Sequence, residues 1–515
     1  MNGRGVVSAL SLAALSSVAG CRSTPPGAEV LAIDEDGDGR TDLWRAPDGS
    51  AEVRAPEPGS DPPRTVVLAI DAIPHDLFAE LQREGRFRAF LPASRLVAPF
   101  PSLTNLGFTA IFRTPAPSGY EDLYFDPERD AVVGGAWERL TGEYKGIAPF
   151  HERFDWEEPR LWGAFVFYLP DRVREAELLR IEEILMDYAR DGRDPPAEND
   201  AELLLYMGST DALGHVGGRE ALRRHLLRVE SVLGRFLAAG GGRDRVILLS
   251  DHGMSEESSR LFDLEAALGR AGFRLADAVR DTSDVVAPAY GLVGSIQLYT
   301  APGQEEAVAR AVVAQQGADF AVWRRREVPS AAEGLNGRGR EGGPARLPAR
   351  IGAVDAEGSA DPLDRPSDDY PMLRERVRRA LDEPTRHPAD VLVSLEDGWH
   401  YGSALFDRLV RIRGTHGSAR ASSSVGFLAS NVDQTPLWIP AWDAWPWLGL
   451  EGDDRGDSIG LKDAGCYQAP RGPCGPRAGS ERGVGARREA GTAGRWAADA
   501  TRPRGRARPV RGRPA

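Results

Sequence analysis

Cysteine is almost missing from this chain: three occur among 515 residues, Cys21, Cys466 and Cys474. So sparse a set excludes a disulfide framework, and the fold must rest on its core. Cys466 and Cys474 could pair in an oxidising compartment or stay free. The apolar stretch Val6–Val18 is too short to span a bilayer as a conventional helix. A basic surplus is missing too. The net charge of -13 gives no reason to expect a nucleic-acid partner for the body of the protein. Histidine is scarce, with eight in all, so its positions carry information.

What is present is ordinary for a globular protein, with 41% hydrophobic and 27% charged residues. The length allows one large α/β domain with insertions, or two domains. Residues 1–20 have the form of a targeting segment, with Arg4 ahead of the apolar stretch. It ends in Val18-Ala19-Gly20-Cys21, which resembles a bacterial lipobox. That resemblance implies lipidation of Cys21, export, and anchorage to a bacterial membrane on its periplasmic or outer side. A plain secretory signal with an incidental cysteine is the other reading.

Residues 21–63, rich in Pro, Gly and acid, read as a tether. Within it, Asp34, Asp36, Asp38 and Asp42 alternate around Gly37 and Gly39, a spacing suited to Ca2+ with its hard oxygen ligands. Arg45 stands where an EF-hand would place its glutamate. A calcium loop and a solvated acidic linker both fit.

From residue 64 to about 450 the pattern is that of a catalytic-size α/β domain. Thr65–Ile70, Glu202–Met207 and Arg245–Leu249 are short continuous apolar runs, each followed within a few residues by an aspartate. Such runs suit central parallel strands covered on both faces. Helix-like stretches between them, including Asp171–Arg190 and Arg219–Ala238, predict a doubly wound, mainly parallel sheet with helices on both faces. An α+β insertion is expected over about 260–400, with a loose Gly- and Arg-rich loop near Gly334–Arg350. Residues 451–515 are dominated by Gly, Arg, Pro and Ala, and cannot supply a core. A disordered basic tail and a reading-frame error in a GC-rich gene would both give that composition.

Chemistry-bearing residues gather at the predicted strand ends, where α/β sheets place their sites. Asp71 closes the first strand. Asp211 and His215 follow the second, four apart, so one helical face carries both and they can share a metal. Asp251-His252 follows the third, where Gly253 eases a sharp turn. His215, His252 and His416 all lie in Gly-flanked turns; His75, His151, His225, His387 and His400 do not, and read as structural or exposed.

Five ordered motifs carry a family resemblance: Leu68–Asp71, Phe100–Asn105, Ser209–His215, Ser250–Met254 and Gly414–Ser418. Together they resemble the nucleotide pyrophosphatase/phosphodiesterase branch of the alkaline phosphatase superfamily over roughly residues 64–430. The resemblance implies an alkaline phosphatase-like fold and two divalent metal ions, Zn2+ by family habit. Asp71, Thr104, Asp251 and His252 would surround one ion, and Asp211, His215 and His416 the other. Thr104 would be the nucleophile, attacking phosphorus to form a phospho-threonine. Small phosphate esters or nucleotides are the implied substrates. One departure stands out: the family's asparagine about twenty residues after the nucleophile has no counterpart in Gly119–Asp126, and Asn105 is the candidate replacement for substrate binding. Phe108, Tyr120, Tyr124 and Phe125 are candidates to stack on a nucleobase. The alternatives are a phosphomonoesterase on the same scaffold and a non-catalytic metal-binding surface lipoprotein.

Overall fold

All six residues of the strand Thr65–Ile70 are buried, and they divide between two layers. Val66, Leu68 and Ile70 belong to one apolar cluster, Val67 and Ala69 to another on the opposite face. A strand alternates its side chains, so one covered on both faces must be apolar throughout. The computed structural model describes residues 31–45, 52–62, 64–135, 144–157, 170–191, 201–325, 350–382 and 384–450. The targeting segment, Cys21, Cys466, Cys474, the stretch 451–515 and nearly all of the Gly/Arg-rich loop lie outside the described residues.

The central sheet has seven strands in the order Trp438–Pro440, Ser94–Val97, Val425–Ser430, Arg245–Leu249, Thr65–Ile70, Glu202–Met207 and Trp156–Glu157. Arg245–Leu249, Thr65–Ile70 and Glu202–Met207 are mutually parallel neighbours, with Leu249 opposite Ala69 and Ile70 opposite Met207. Their carboxyl ends therefore reach one edge together. Only Val425–Ser430 runs against its neighbours. The fold is α/β and mainly parallel.

Helices cover both faces. On one, the long helix Ser209–Ala238 buries Leu222, Leu226, Val229, Leu233 and Phe236, spaced to share one stripe, against the sheet. Each such fully buried side chain stabilises the fold by about 1.5–3 kcal/mol. The preceding helix, Pro170–Asp191, adds Leu178, Ile181 and Leu185 to the same cluster. Its Glu177 also accepts from Gly208 N at 2.9 Å, which satisfies a backbone donor at the mouth of the long helix. On the other face, the helix Thr104–Phe112 packs Phe108, Ile111 and Phe112 against Val67, Ile247 and Leu249.

Between the third of these parallel strands and Val425–Ser430 the chain builds a second sheet of six strands: Arg274–Leu275, Asp284–Val286, Ser295–Thr300, Val391–Leu395, Ala318–Arg325 and Arg350–Asp355. It is antiparallel apart from its first pair. The helices Glu305–Val313 and Leu373–Leu381 pack against it.

Part of the stretch read as a tether is folded. Leu31–Ile33, Leu43–Arg45 and Glu52–Arg54 pair as a small antiparallel sheet. Trp44 and Val53 are buried in the same cluster as Leu237 of the long helix. One tryptophan supplies the apolar area that anchors an otherwise polar segment. No helix among the described residues is long and apolar enough to cross a membrane.

Candidate active site

The three parallel strands end in Ile70 just ahead of Asp71, in Met207 ahead of the Asp211 turn, and in Leu249 ahead of Asp251-His252. Two groups of ligating atoms form at this edge. Asp211, His215 and His416 make one, Asp71, Asp251 and His252 the other, each with its atoms within 4.8 Å of one another. The groups share a wall, because the His252 and His416 rings stack at 4.0 Å. Thr104 opens its helix beside the second group, with Oγ1 3.2 Å from His252 Nε2 and 3.5 Å from Asp71 Oδ1. Asn105 follows on the same turn, 7% exposed.

Each histidine is oriented by the backbone behind it. The Nδ1 atom of His215 donates to Gly414 O at 2.9 Å, that of His252 to Gly253 O at 2.9 Å, and that of His416 to Ser102 O at 3.0 Å. With the proton on Nδ1, each Nε2 turns a lone pair to the carboxylates. His416 Nε2 lies 3.1 Å and His215 Nε2 3.4 Å from Asp211 Oδ1, and His252 Nε2 lies 3.3 Å from Asp251 Oδ2. While these imidazoles are neutral, acceptor faces acceptor. Asp211 Oδ1 and Asp251 Oδ2 are buried oxygens without a hydrogen-bond donor. A buried acceptor left in that state is costly. Shared cations resolve the conflict, so the donor set fits metal.

Burial and mutual repulsion distort the titrations accordingly. Burial, then Asp251 and Asp211, push the Asp71 carboxyl well up, and burial pushes Asp251 up to about 7. Burial also opposes the charge of Asp211, yet His215 and His416 outweigh it and hold that carboxyl well below the usual range. Burial and the neighbouring His416 lower His252 to about 4. For His416 burial works against protonation, but Asp211 and the Ser102 carbonyl raise it to about 9. Strong shifts clustered on one sheet edge are a recurrent property of functional sites and make this edge the candidate.

Three supporting residues are given no role by the sequence: Tyr206 and Gly107 lie outside the motifs, and Ser102 lies within Phe100–Asn105. Tyr206 donates its hydroxyl to Asp71 Oδ2 at 2.5 Å and so sets that carboxylate's rotation. Ser102 receives the His416 proton on its carbonyl and joins the two loops through a bridge to Gly417. Gly107 lies against Asp251: a Cβ there would sit 2.9 Å from Asp251 Cβ and 3.0 Å from Oδ2. Gly107→Ala is expected to displace that carboxylate and to lower turnover by about 100-fold. Steady-state kinetics with metal analysis of the variant checks this; wild-type turnover would show that the helix yields instead. A polar hydroxyl at the penultimate position of an apolar strand was the one available signal for Tyr206.

The aromatic expectation is corrected. Phe108, Tyr120 and Phe125 are core residues, at 0%, 3% and 3% exposure, and cannot stack on a ligand. Phe108 packs among Phe112, Phe150, Phe154 and Tyr206. Tyr124 is half-buried and stacks on the His387 ring at 5.3 Å. The other histidines are held apart from the two groups: His151 pairs with Glu157, His225 meets the Met207 sulfur, and His400 lies between Ser259 and Asp407.

In the acidic loop, Asp34, Asp36 and Asp42 bring oxygens together, whereas Asp38 accepts from Arg40 N at 2.7 Å and stays out of the group. Arg88 Nη2 already neutralises Asp34 at 2.8 Å. Gly37 N and Gly39 N take the same carboxylate, at 2.7 and 2.9 Å.

Residues 124–419 match the family model described as type I phosphodiesterase/nucleotide pyrophosphatase. The chain belongs to that family. Five of the seven clustered residues, Asp211 through His416, fall inside the matched span, while Asp71 and Thr104 precede it. This type I phosphodiesterase/nucleotide pyrophosphatase family chain finds no match among curated proteins. Among solved structures it is similar to murine ectonucleotide pyrophosphatase/phosphodiesterase 5, with 12% identity and a TM-score of 0.43 over 75% of this chain and 94% of that one. The human counterpart gives 13% and 0.41, over 75% and 93%. Phosphonoacetate hydrolase from Sinorhizobium meliloti 1021, in complex with phosphonoformate, gives 12% and 0.44, over 78% and 98%.

Proposed function

We propose that this family member is a metal-dependent phosphodiesterase/nucleotide pyrophosphatase that works through a phospho-threonine on Thr104. The observation that carries the reading is the position of Thr104 Oγ1, 3.2 Å from His252 Nε2 at the rim of the paired clusters. Asp71, Thr104, Asp251 and His252 would hold one divalent ion, and Asp211, His215 and His416 a second. Mixed imidazole and carboxylate donors with an open position suit catalytic zinc. Bound there, such ions would neutralise the carboxylates, favour ionisation of the threonine hydroxyl and offset charge on the phosphoryl oxygens.

The chain's own residues then divide the work. Thr104 Oγ1 forms a bond to phosphorus as the opposite ester oxygen departs; water later attacks the same phosphorus and returns the threonine. Asp71 Oδ1, 3.5 Å from Oγ1, is a carboxylate within reach of the hydroxyl proton, and Tyr206 keeps it turned that way. At the start of the Thr104–Phe112 helix the Leu106 and Gly107 amides donate to Leu103 O, while the Thr104 and Asn105 amides precede any intrahelical acceptor, a setting that favours phosphate. Asn105 Nδ2 is buried without an acceptor and is the donor that would meet a phosphoryl oxygen, in place of the missing downstream asparagine. Asp211, with its side chain 25% exposed, marks the side open to substrate. Export and lipid anchorage through Cys21 join the proposal on the Val18–Cys21 sequence alone. A calcium ion at Asp34, Asp36 and Asp42 has only the loop's oxygens in its favour.

The test is a comparison of substrates on zinc-loaded protein lacking residues 1–21. Bis-(p-nitrophenyl) phosphate and p-nitrophenyl thymidine monophosphate should be hydrolysed at least about tenfold more efficiently than p-nitrophenyl phosphate. The reverse order would make the chain a phosphomonoesterase. Turnover of none of them at full metal loading would leave a non-catalytic metal-binding protein.

A further inference from the structure

Arg376 is the largest side chain fully withdrawn from solvent among the described residues. It lies on the helix Leu373–Leu381, on the stripe that also buries Leu373, Val377 and Ala380. Burial alone pulls its guanidinium down to about 9, with no carboxylate offsetting that loss. Its partners are neutral: Nη1 donates to Ala419 O at 2.7 Å and Pro371 O at 3.4 Å, and Nη2 to Ser102 Oγ at 3.0 Å and Pro99 O at 3.3 Å. Nε has no acceptor. A methionine would fill this space without burying a charge, so an unpaired arginine here needs a reason.

The reason lies in what the fork joins. Pro99 and Ser102 belong to the loop that leads into Thr104; Ala419 belongs to the loop that carries His416. Ser102 is the hub between them. Its N donates to Gly417 O at 3.2 Å, its Oγ donates to Ser418 O at 2.8 Å, and its carbonyl receives His416 Nδ1 at 3.0 Å. A planar guanidinium spreads its donors in a rigid fork over two nitrogens and so holds two loops in a fixed geometry, whereas an ammonium is a compact point charge with rotatable donors. We propose that Arg376 is a positioning residue for the reaction at Thr104: it clamps the nucleophile loop 99–102 to the ligand loop 416–419 from behind. In doing so it fixes Thr104 relative to His416.

The inference rests on the phosphate-ester reading of the same site, and the experiment separates the two. The full chain, zinc-loaded, is compared as wild type, Arg376→Met, Arg376→Lys and Ser102→Ala. The readouts are kcat and KM on bis-(p-nitrophenyl) phosphate, zinc affinity by calorimetry, melting temperature, and ring-nitrogen NMR of His416. Arg376→Met should keep KM within about threefold while kcat falls by about 100-fold, the scale of a small misplacement of reacting groups. The His416 Nδ1 signal should move and zinc affinity weaken. Arg376→Lys, which restores charge without the fork, should recover only part of kcat. Wild-type kcat in Arg376→Met, whatever its melting temperature, overturns the clamp. If that variant fails to fold, Ser102→Ala decides, because it removes the fork's shorter bond to the nucleophile loop, together with the Ser102–Ser418 bond, and leaves only the 3.3 Å contact to Pro99 O with the arginine in place; an unchanged kcat there also overturns the clamp. A wild type that hydrolyses no phosphate ester sinks the enzymatic reading instead. In that event zinc affinity judges the clamp: weakened in Arg376→Met supports it, unchanged refutes it.

Discussion

Thr104→Ala is expected to lower diester hydrolysis by about 10⁴- to 10⁶-fold, the scale on which removal of a nucleophile is felt. Thr104 is only half-buried, and its hydroxyl contacts at 3.2 and 3.5 Å are long, so the fold should survive its loss. The six remaining clustered side chains are untouched, so zinc content should stay near that of the wild type. Thr104→Ser keeps the oxygen and should retain activity within about 100-fold. The direct measurement is acid quenching during turnover, followed by mass spectrometry: the peptide holding Thr104 should carry the substrate's phosphoryl half in wild type and nothing in the alanine variant. A fully active Thr104→Ala enzyme, or a label on another residue, removes Thr104 from the mechanism.

Removing metal should have the second-largest effect, on activity and stability together. Chelation is expected to abolish hydrolysis, and zinc to restore it. A ligand that binds only the folded state stabilises it by about 4 kcal/mol at a thousand times its dissociation constant, so melting temperature should rise with added zinc. The pH dependence of the chelated protein has a definite sign. His416 titrates at about 9 when folded, against about 6.5 when unfolded. The folded state therefore holds that proton more tightly, and the stability this supplies is complete below about pH 6.5 and lost as pH rises through about 9. Asp251, up at about 7 when folded, acts in the same direction at lower pH, while His252, down at about 4, acts oppositely below about pH 6.5. Above that point the chelated protein should melt at progressively lower temperature, and the shift produced by zinc should grow, because metal competes with protons for the same atoms. Calorimetric melts with and without zinc across this range test both trends. A chelated protein that gains stability on alkalinisation contradicts the charge balance described for the cluster.

Much of this was legible in the chain because buried parallel strands leave an unusual trace. Thr65–Ile70, Glu202–Met207 and Arg245–Leu249 are apolar on both faces, and the structure assigns those same bounds. An acidic residue just past such a run stands out, and so does a histidine in a glycine-flanked turn. Other features had no comparable trace. The three-residue strands around Trp44 are too short to show a period. The aromatics after Thr104 are hydrophobic whether they line a pocket or a core, and only packing tells which. Arg376 sits among Arg374, Arg378 and Arg379, three arginines that face solvent and salt-bridge partners, so composition hides the buried one. Its only sign was helical spacing, which puts it on the stripe of Leu373 and Val377.

The six-stranded sheet interrupts the ligand set: Asp71, Asp211, His215, Asp251 and His252 come before it, and His416 after it. During synthesis the emerging chain therefore presents all three clustered carboxylates long before the last imidazole that completes the set. A fragment ending anywhere in the inserted layer would carry an electronegative, unfinished edge, with Ser102 lacking the loop it bridges. Full assembly must wait until the last antiparallel strand, Val425–Ser430, slots between Arg245–Leu249 and Ser94–Val97. Activity thus becomes a late checkpoint of maturation, and a cut within the inserted layer should silence the protein even where the first core has already formed.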